Sequence, residues 1–302
     1  MNNYSAELLS NINGKKIIIT GYNGYIGNEV ANQLDLNNID YIGLDKTEIS
    51  KINCLQFNLS DRKKLKEVII AEKPDYIFHT ATHSALAYKN DFINVFQEDN
   101  LVLSNIISSL RKTNNTQLIY FSSSYVYSGL DINDTVSEKS ILAPVHNFGL
   151  AKSFFEQMIL RVHPNSIIFR LSSVFGQGNY LHPNAIEVMA QEAMNDKFLT
   201  IWGKGMRKMQ YVFLEDVVKY ILKGTKLLPG IYNLAGNNYE TVDATATYIA
   251  DYFGTITKKL PEKNEGETLP FMDNDKLINA LGHENFSNHR ISLTQYLSDI
   301  SN

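Results

Sequence analysis

Cysteine is nearly missing from this chain. Cys54 is the one thiol among 302 residues, which excludes an internal disulfide framework. It sits in the strand-like stretch "KINCLQFNL" and reads as a small buried apolar residue rather than a reactive thiol. Long apolar runs are missing too, since none approaches the roughly 18 residues that would span a bilayer. The start, "MNNYSAELLSNINGKK", lacks the charged-then-apolar order of a secretory leader. A basic excess is also absent. The net charge is -4, so the chain is not built to neutralise nucleic-acid phosphates. No His or Cys falls at metal-ligand spacing, and no metal is expected. Repeats, low-complexity tracts and long linkers do not occur. What these absences leave is a soluble cytoplasmic protein with neither nucleic acid nor membrane as partner.

The apolar fraction of 44% and charged fraction of 20% are ordinary for a globular protein of one large domain or a domain and a half. Up to about residue 171, short apolar runs alternate with longer amphipathic stretches. "KKIIIT", "DYIGLD", "DYIFHTA", "TQLIYFSSS" and "NSIIFRLS" read as strands apolar on both faces. Between them "YIGNEVANQLDL", "SDRKKLKEVIIAEKP", "FINVFQEDNLVLSNIISSLRKT" and "GLAKSFFEQMILRVH" read as helices, the second capped by Ser60 and followed by Pro74. That alternation predicts a parallel sheet covered on both sides. Beyond Leu171 shorter strands and helices interleave with Gly-containing turns, as expected of the last part of the sheet and a smaller lobe.

"ITGYNGYIGNEV" places Gly21, Gly24 and Gly27, with Tyr25 and Ile26, between the first strand and the first helix. Such a turn lets backbone approach a pyrophosphate and aims a helix N-terminus at it. Asp45 ends the next strand, where a carboxylate accepts from an adenosine ribose diol and repels a 2′-phosphate. NAD is therefore expected ahead of NADP, although Lys46 is basic and adjacent. The expected fold is α/β: a Rossmann-type doubly wound parallel sheet with a smaller C-terminal α/β substrate lobe. The dinucleotide-binding part is expected over 1–171 plus about 208–234. The substrate lobe is expected over about 172–207 and 235–302, with the ligand cleft between them.

The Gly-x-x-Gly-x-x-Gly spacing after "ITG" resembles the extended short-chain dehydrogenase/reductase family, the NAD-dependent epimerase/dehydratase group acting on nucleotide sugars. The resemblance runs in order through most of the chain. It implies cofactor contacts at Asn58 and Leu59 in "FNLSD", at Thr80 and Ala81 in "FHTAT", and at Asn100 in "EDNLVLSNII". His79 reads as a packed strand-end histidine. "FRLSSVFG" carries Ser173 where the family has Asn, and "YVFLEDVV" carries the helix-capping Asp216. The family also implies a Ser or Thr at the fourth strand's end, here Ser123, and a Tyr-x-x-x-Lys on the next helix. Its lysine, here Lys152, holds the nicotinamide ribose and lowers the tyrosine pKa. Glu156, one turn on, reads as a helix-face carboxylate. Ser124, Tyr125, Ser173 and Arg207 are the candidate substrate contacts; the family's diphosphate-binding Arg position is Met209. The resemblance further implies a homodimer through the helices of "LVLSNIISSL" and "FFEQMI".

Phe148 occupies the tyrosine position. General acid/base catalysis contributes about 10² to 10⁴ in rate, or roughly 3 to 5 kcal/mol. Three readings fit: an engineered Tyr-to-Phe replacement; a natural loss of catalysis with NAD binding kept; or proton transfer by another group such as Ser123, a water or Tyr125. Ser124-Tyr125 replaces the Asp-Glu pair of the family's 4,6-dehydratases, and the Cys of the fucose-forming enzymes is missing. The expected function is therefore oxidation, reduction or 4-epimerisation at a ring carbon of a nucleotide-activated sugar, with "SSSYVYSG" closest in layout to the 4-keto-rhamnose reductases. The alternative is a catalytically inactive NAD-binding protein of the same fold.

Overall fold

The structure, a computed structural model, describes residues 9–48, 51, 53–113, 115–178, 183–282 and 286–301. Residues 1–8 of the stretch read above for a leader lie outside them. Seven strands form the central sheet: β1 (Ile17–Thr20), β2 (Ile42–Asp45), β3 (Cys54–Gln56), β4 (Tyr76–His79), β5 (Gln117–Ser123), β6 (Ser166–Leu171) and β7 (Gly230–Leu234). All pairings are parallel, and the order is β7-β6-β5-β4-β1-β2-β3. Succession reverses between β1 and β4, so their C-terminal ends part and leave a crevice for a ligand. The short edge strand β3 falls in the strand-like stretch around Cys54, and the late-arriving β7 is the last part of the sheet expected beyond Leu171.

Helices cover both faces: α1 (Tyr25–Leu36), α2 (Arg62–Glu72), α3 (Ala85–Asn90), α4 (Phe92–Leu110), α5 (Asn147–Val162), α6 (Ala185–Asn195) and α7 (Leu214–Gly224). On one face Val30 and Leu34 of α1 meet Val217 and Ile221 of α7 over β1 and β6. On the other, Leu65 and Ile69 of α2, Leu103 and Ile106 of α4, and Phe155 and Ile159 of α5 form a second core. Every one of these side chains is fully or almost fully buried, which explains why the strands are apolar on both sides. A third core gathers Ile186 and Met189 of α6 with Leu199, Tyr211, Phe213 and Ile249.

Two local readings need correction. The cap of α2 is Asp61, whose Oδ1 accepts from Lys64 N at 3.0 Å. Ser60 is drawn back because its own N–H donates to Asn58 Oδ1 at 3.0 Å. Glu156 does not lie on an open helix face. It is 1% exposed and takes Nε and Nη2 of Arg170, itself 2% exposed, at 2.9 and 2.6 Å. Arg170 Nη1 also donates to Tyr127 Oη at 2.5 Å, tying α5 to β6 and to the turn after β5.

Candidate active site

The glycine turn leaves β1 where β4 also ends. Gly21 has φ +74°, and a Cβ there would fall 2.6 Å from Ala81 N. A Cβ on Gly27 would fall 2.3 Å from Gly21 O, so α1 packs against the turn only because that atom is missing. Thr80 Oγ1 donates to Thr20 O at 2.7 Å, with Gly21 O at 3.1 Å, and thereby fixes the turn's shape. Asp45 Oδ2 accepts from Asn23 N at 3.0 Å, and its Oδ1 accepts from Thr47 N and Oγ1 at 2.9 and 2.8 Å. Oδ2, with one donor, keeps acceptor capacity toward a ribose hydroxyl. These close-approach glycines, the free end of α1 and the carboxylate fit the pyrophosphate and adenosine ribose of NAD. Of the other predicted cofactor residues, Leu59 is a core side chain and Ile26 packs against the core. Asn58 shapes the turn before α2, and Asn100 is half-buried on α4. His79 is buried with Nδ1 2.7 Å from Thr20 Oγ1, and burial pushes its imidazole down to about 4, so it is neutral.

Tyr25 links this turn to α6. Its hydroxyl lies 2.9 Å from Gly176 O and 3.2 Å from Oε1 of Glu187, an almost fully buried carboxylate on α6. Burial pushes Glu187 up to about 7 against the hydrogen bonds from Asn184 N, Tyr25 and Gly176 N. A folded pKa raised above the ordinary 4.5 means that the folded protein holds a proton the unfolded chain has lost. Unfolding free energy should therefore fall as pH rises from about 4.5 to about 7, then level off. In a Glu187→Gln protein that slope should flatten, as followed by urea unfolding across this range. A slope unchanged by the substitution would assign it to other groups.

Lys152 is 2% exposed on α5. Its Nζ donates to Phe121 O at 2.9 Å and lies 3.3 Å from both Thr82 Oγ1 and Tyr120 Oη. Burial pulls the amine down to about 8, opposed by the charges of Asp99 and Glu156. Phe148 lies one turn earlier, its ring 5.4 Å from that nitrogen. Behind the ring stands Tyr88, at 5.5 Å between centroids, whose hydroxyl donates to Asp99 Oδ2 at 2.7 Å. Asp99 Oδ1 also takes His83 Nδ1 at 2.6 Å. The hydrogen bond His83 donates to the Asp99 carboxylate raises the imidazole above its ordinary value, against its partial burial. Thr82, Tyr120, Tyr88, His83 and Asp99 were not among the predicted site residues. The strand-end "FHTAT" contained Thr82, but nothing in the sequence joined the others to Lys152.

The ends of β5 and β6 open into a cleft of about 100 Å³. Ser123, Ser124, Tyr125 and Ser173, four of the predicted residues, line one side with Ser172. Of the lining serines, Ser172 has its Oγ buried without a partner among the described residues, so the cleft offers an unused hydroxyl. Arg207, Lys208 and Met209 form the opposite wall with Gln210. Gln210 staples that wall in place: its Nε2 donates to Gly236 O and Met272 O at 2.7 and 2.9 Å, and its Oε1 accepts from Met272 N at 2.9 Å. Its carbonyl also accepts from Ser173 N at 3.1 Å. Arg207 borders the cleft but is partly engaged, with Nη1 donating to Glu265 O at 3.2 Å. Among the described residues no group of His, Cys, Asp or Glu is arranged to hold a metal ion, and no helix is long and apolar enough to cross a membrane.

A doubly wound parallel sheet with a glycine turn at its switch point, and a buried lysine on the helix after β5, is the arrangement of the short-chain dehydrogenase/reductase fold. The chain belongs to the NAD dependent epimerase/dehydratase family, whose model matches residues 17–235. It is 28% identical over 265 residues to a dTDP-D-glucose 4,6-dehydratase of Dictyostelium discoideum, a match spanning 75% of this chain and 59% of that relative. It is 23% identical over 228 residues to a dTDP-4-dehydrorhamnose reductase of Aggregatibacter actinomycetemcomitans, spanning 73% of each. It is also 23% identical over 257 residues to methionine adenosyltransferase 2 subunit beta of Pongo abelii, spanning 83% of this chain and 75% of that one. Among solved structures, a UDP-glucose 4-epimerase of Thermotoga maritima with UDP-glucose superposes with a TM-score of 0.84 at 18% identity, covering 95% of this chain and 98% of that one. A Thermus thermophilus UDP-glucose 4-epimerase in complex with NAD gives 0.85 at 17% identity, covering 95% and 99%. The fold and the family's cofactor, NAD, thus agree with the reading of the glycine turn.

Proposed function

We propose that this chain is a cytoplasmic NAD-dependent oxidoreductase or epimerase acting at a ring carbon of a nucleotide-activated sugar. The observation that carries the proposal is the glycine turn at the sheet's switch point, taken with the buried Lys152 amine on Phe121 O and the serine-lined cleft at the ends of β5 and β6. Gly21, Gly24, Gly27 and the N-terminus of α1 would hold the pyrophosphate, Asp45 the adenosine ribose and Lys152 the nicotinamide ribose. NAD, when bound, supplies the hydride acceptor and donor. Ser123 is placed to donate to the oxygen on the reacting carbon, and the other cleft serines to bind further sugar hydroxyls. No carboxylate follows Ser123 to drive elimination of water, which favours redox or 4-epimerisation over dehydration. The relatives named above support a nucleotide-sugar substrate. The test is to supply the NAD-loaded protein with dTDP-, UDP-, GDP- and CDP-sugars and follow bound ligand and products by mass. Binding of none would overturn the nucleotide-sugar assignment.

Met209 supplies a second test. A positive charge at this cleft position should meet the diphosphate, so Met209→Arg should tighten nucleotide-sugar binding on the order of tenfold. Calorimetric titration measures it, and an unchanged affinity would place the diphosphate elsewhere. Exposed Ile93 and Leu101 on α4 and Leu150 and Phe154 on α5 support a homodimer through these helices. Light scattering should give twice the monomer mass, and a single-chain mass would remove the dimer. Phe148 favours one further reading, an NAD-binding subunit without turnover. It requires that neither the chain as it stands nor Phe148→Tyr convert any of these sugars.

A further inference from the structure

Phe148 removes a hydroxyl from the place where proton transfer is expected, and three tyrosines stand around the gap. Tyr88 has its hydroxyl committed to Asp99 and is completely buried, and both burial and that carboxylate hold its phenol far above the ordinary range. Tyr120 is buried beneath Lys152, and burial again holds its proton on. His83 has both ring nitrogens near carboxylates, Nδ1 at 2.6 Å from Asp99 and Nε2 at 3.4 Å from Glu98. Tyr125 differs from all of them. It lines the substrate cleft beside Ser123 and Ser124, and its hydroxyl has no hydrogen-bond partner among the described residues.

Its position is also tightly set. Tyr125 N donates to Ser123 Oγ at 3.3 Å. Its carbonyl presses on α5 where a Cβ on Gly149 would come within 2.3 Å, so the turn holding Tyr125 seats directly beside Phe148. The ring meets Phe148 edge-on at 6.0 Å and His146 edge-on at 5.3 Å. The phenylalanine therefore acts as a wall against which another phenol is held.

We propose that Tyr125, reaching the cleft from the turn after β5, is the catalytic acid/base that replaces the tyrosine missing at position 148. This rests on the sugar-oxidoreductase reading given above. In the oxidising direction the carbon's C–H bond breaks and its electron pair leaves as hydride to the nicotinamide of NAD⁺. The O–H bond breaks with its proton passing to the Tyr125 oxygen, and the carbonyl forms. Reduction reverses each transfer. Ser123 donates to the same substrate oxygen.

With a sugar that the parent converts, Tyr125→Phe should lose about 10² to 10⁴ in turnover while NAD affinity, measured by calorimetry, stays within threefold. Adding Phe148→Tyr to it should return much of the loss. Turnover that survives Tyr125→Phe sinks Tyr125 and leaves the oxidoreductase reading standing. No conversion of any sugar by the parent, the Tyr125→Phe protein or the double variant sinks the sugar-oxidoreductase reading instead.

Discussion

The Lys152→Met protein is expected to fold normally, bind NAD about 10- to 100-fold more weakly, and lose about 10² to 10⁴ in turnover of any sugar the parent converts. Methionine keeps the stem that fills the space between α5 and β5 and removes the buried amine. The desolvation cost of that charge goes with it, so stability should stay within about 1 kcal/mol even though Phe121 O loses a donor. The pH dependence separates charge from packing. Burial places the Lys152 pKa at about 8, so NAD binding to the parent should weaken as pH rises through about 8 and the ammonium is lost. The variant should show no such break. Near-parental affinity in Lys152→Met, or the same break in both proteins, would remove Lys152 from the cofactor site. Calorimetry from pH 6 to 9 makes the comparison.

The second large effect is on stability. Glu156→Ala leaves Arg170 charged, 2% exposed and without its carboxylate, which should cost about 3 to 5 kcal/mol. That is a large share of the 5 to 15 kcal/mol typical of a folded domain. Replacing both partners by methionine should recover most of it, because the double variant buries no unpaired charge. Guanidinium unfolding of the two proteins decides the matter. A single variant within 1 kcal/mol of the parent would mean that water or another group already relieves Arg170.

These two side chains show where sequence reading stops. The strands, the α1 boundaries and the glycine turn were legible because each depends on neighbours in the chain: apolar runs, a 3.6-residue period, glycines at fixed spacing. The cap of α2 was read one residue early, since Ser60 and Asp61 are both competent and only the turn at Asn58 chooses between them. Glu156 was misread because its partner lies on another element; the surface period of α5 does not announce an arginine arriving from β6. The environment of Lys152 was hidden for the same reason, with Thr82 and Tyr120 brought in from β4 and β5 by register. Arg207 was recognised as a cation near the cleft, but its bond to Glu265 comes from a loop 58 residues away.

The staple at Gln210 bears on how this cleft changes over time. One side chain anchors the wall to two distant backbone segments, and its carbonyl holds Ser173. Met209 and Ser173, two places where the chain departs from its family's pattern, both adjoin this residue. Recognition can drift at such a wall one substitution at a time, while the sheet and the cofactor turn behind it stay fixed.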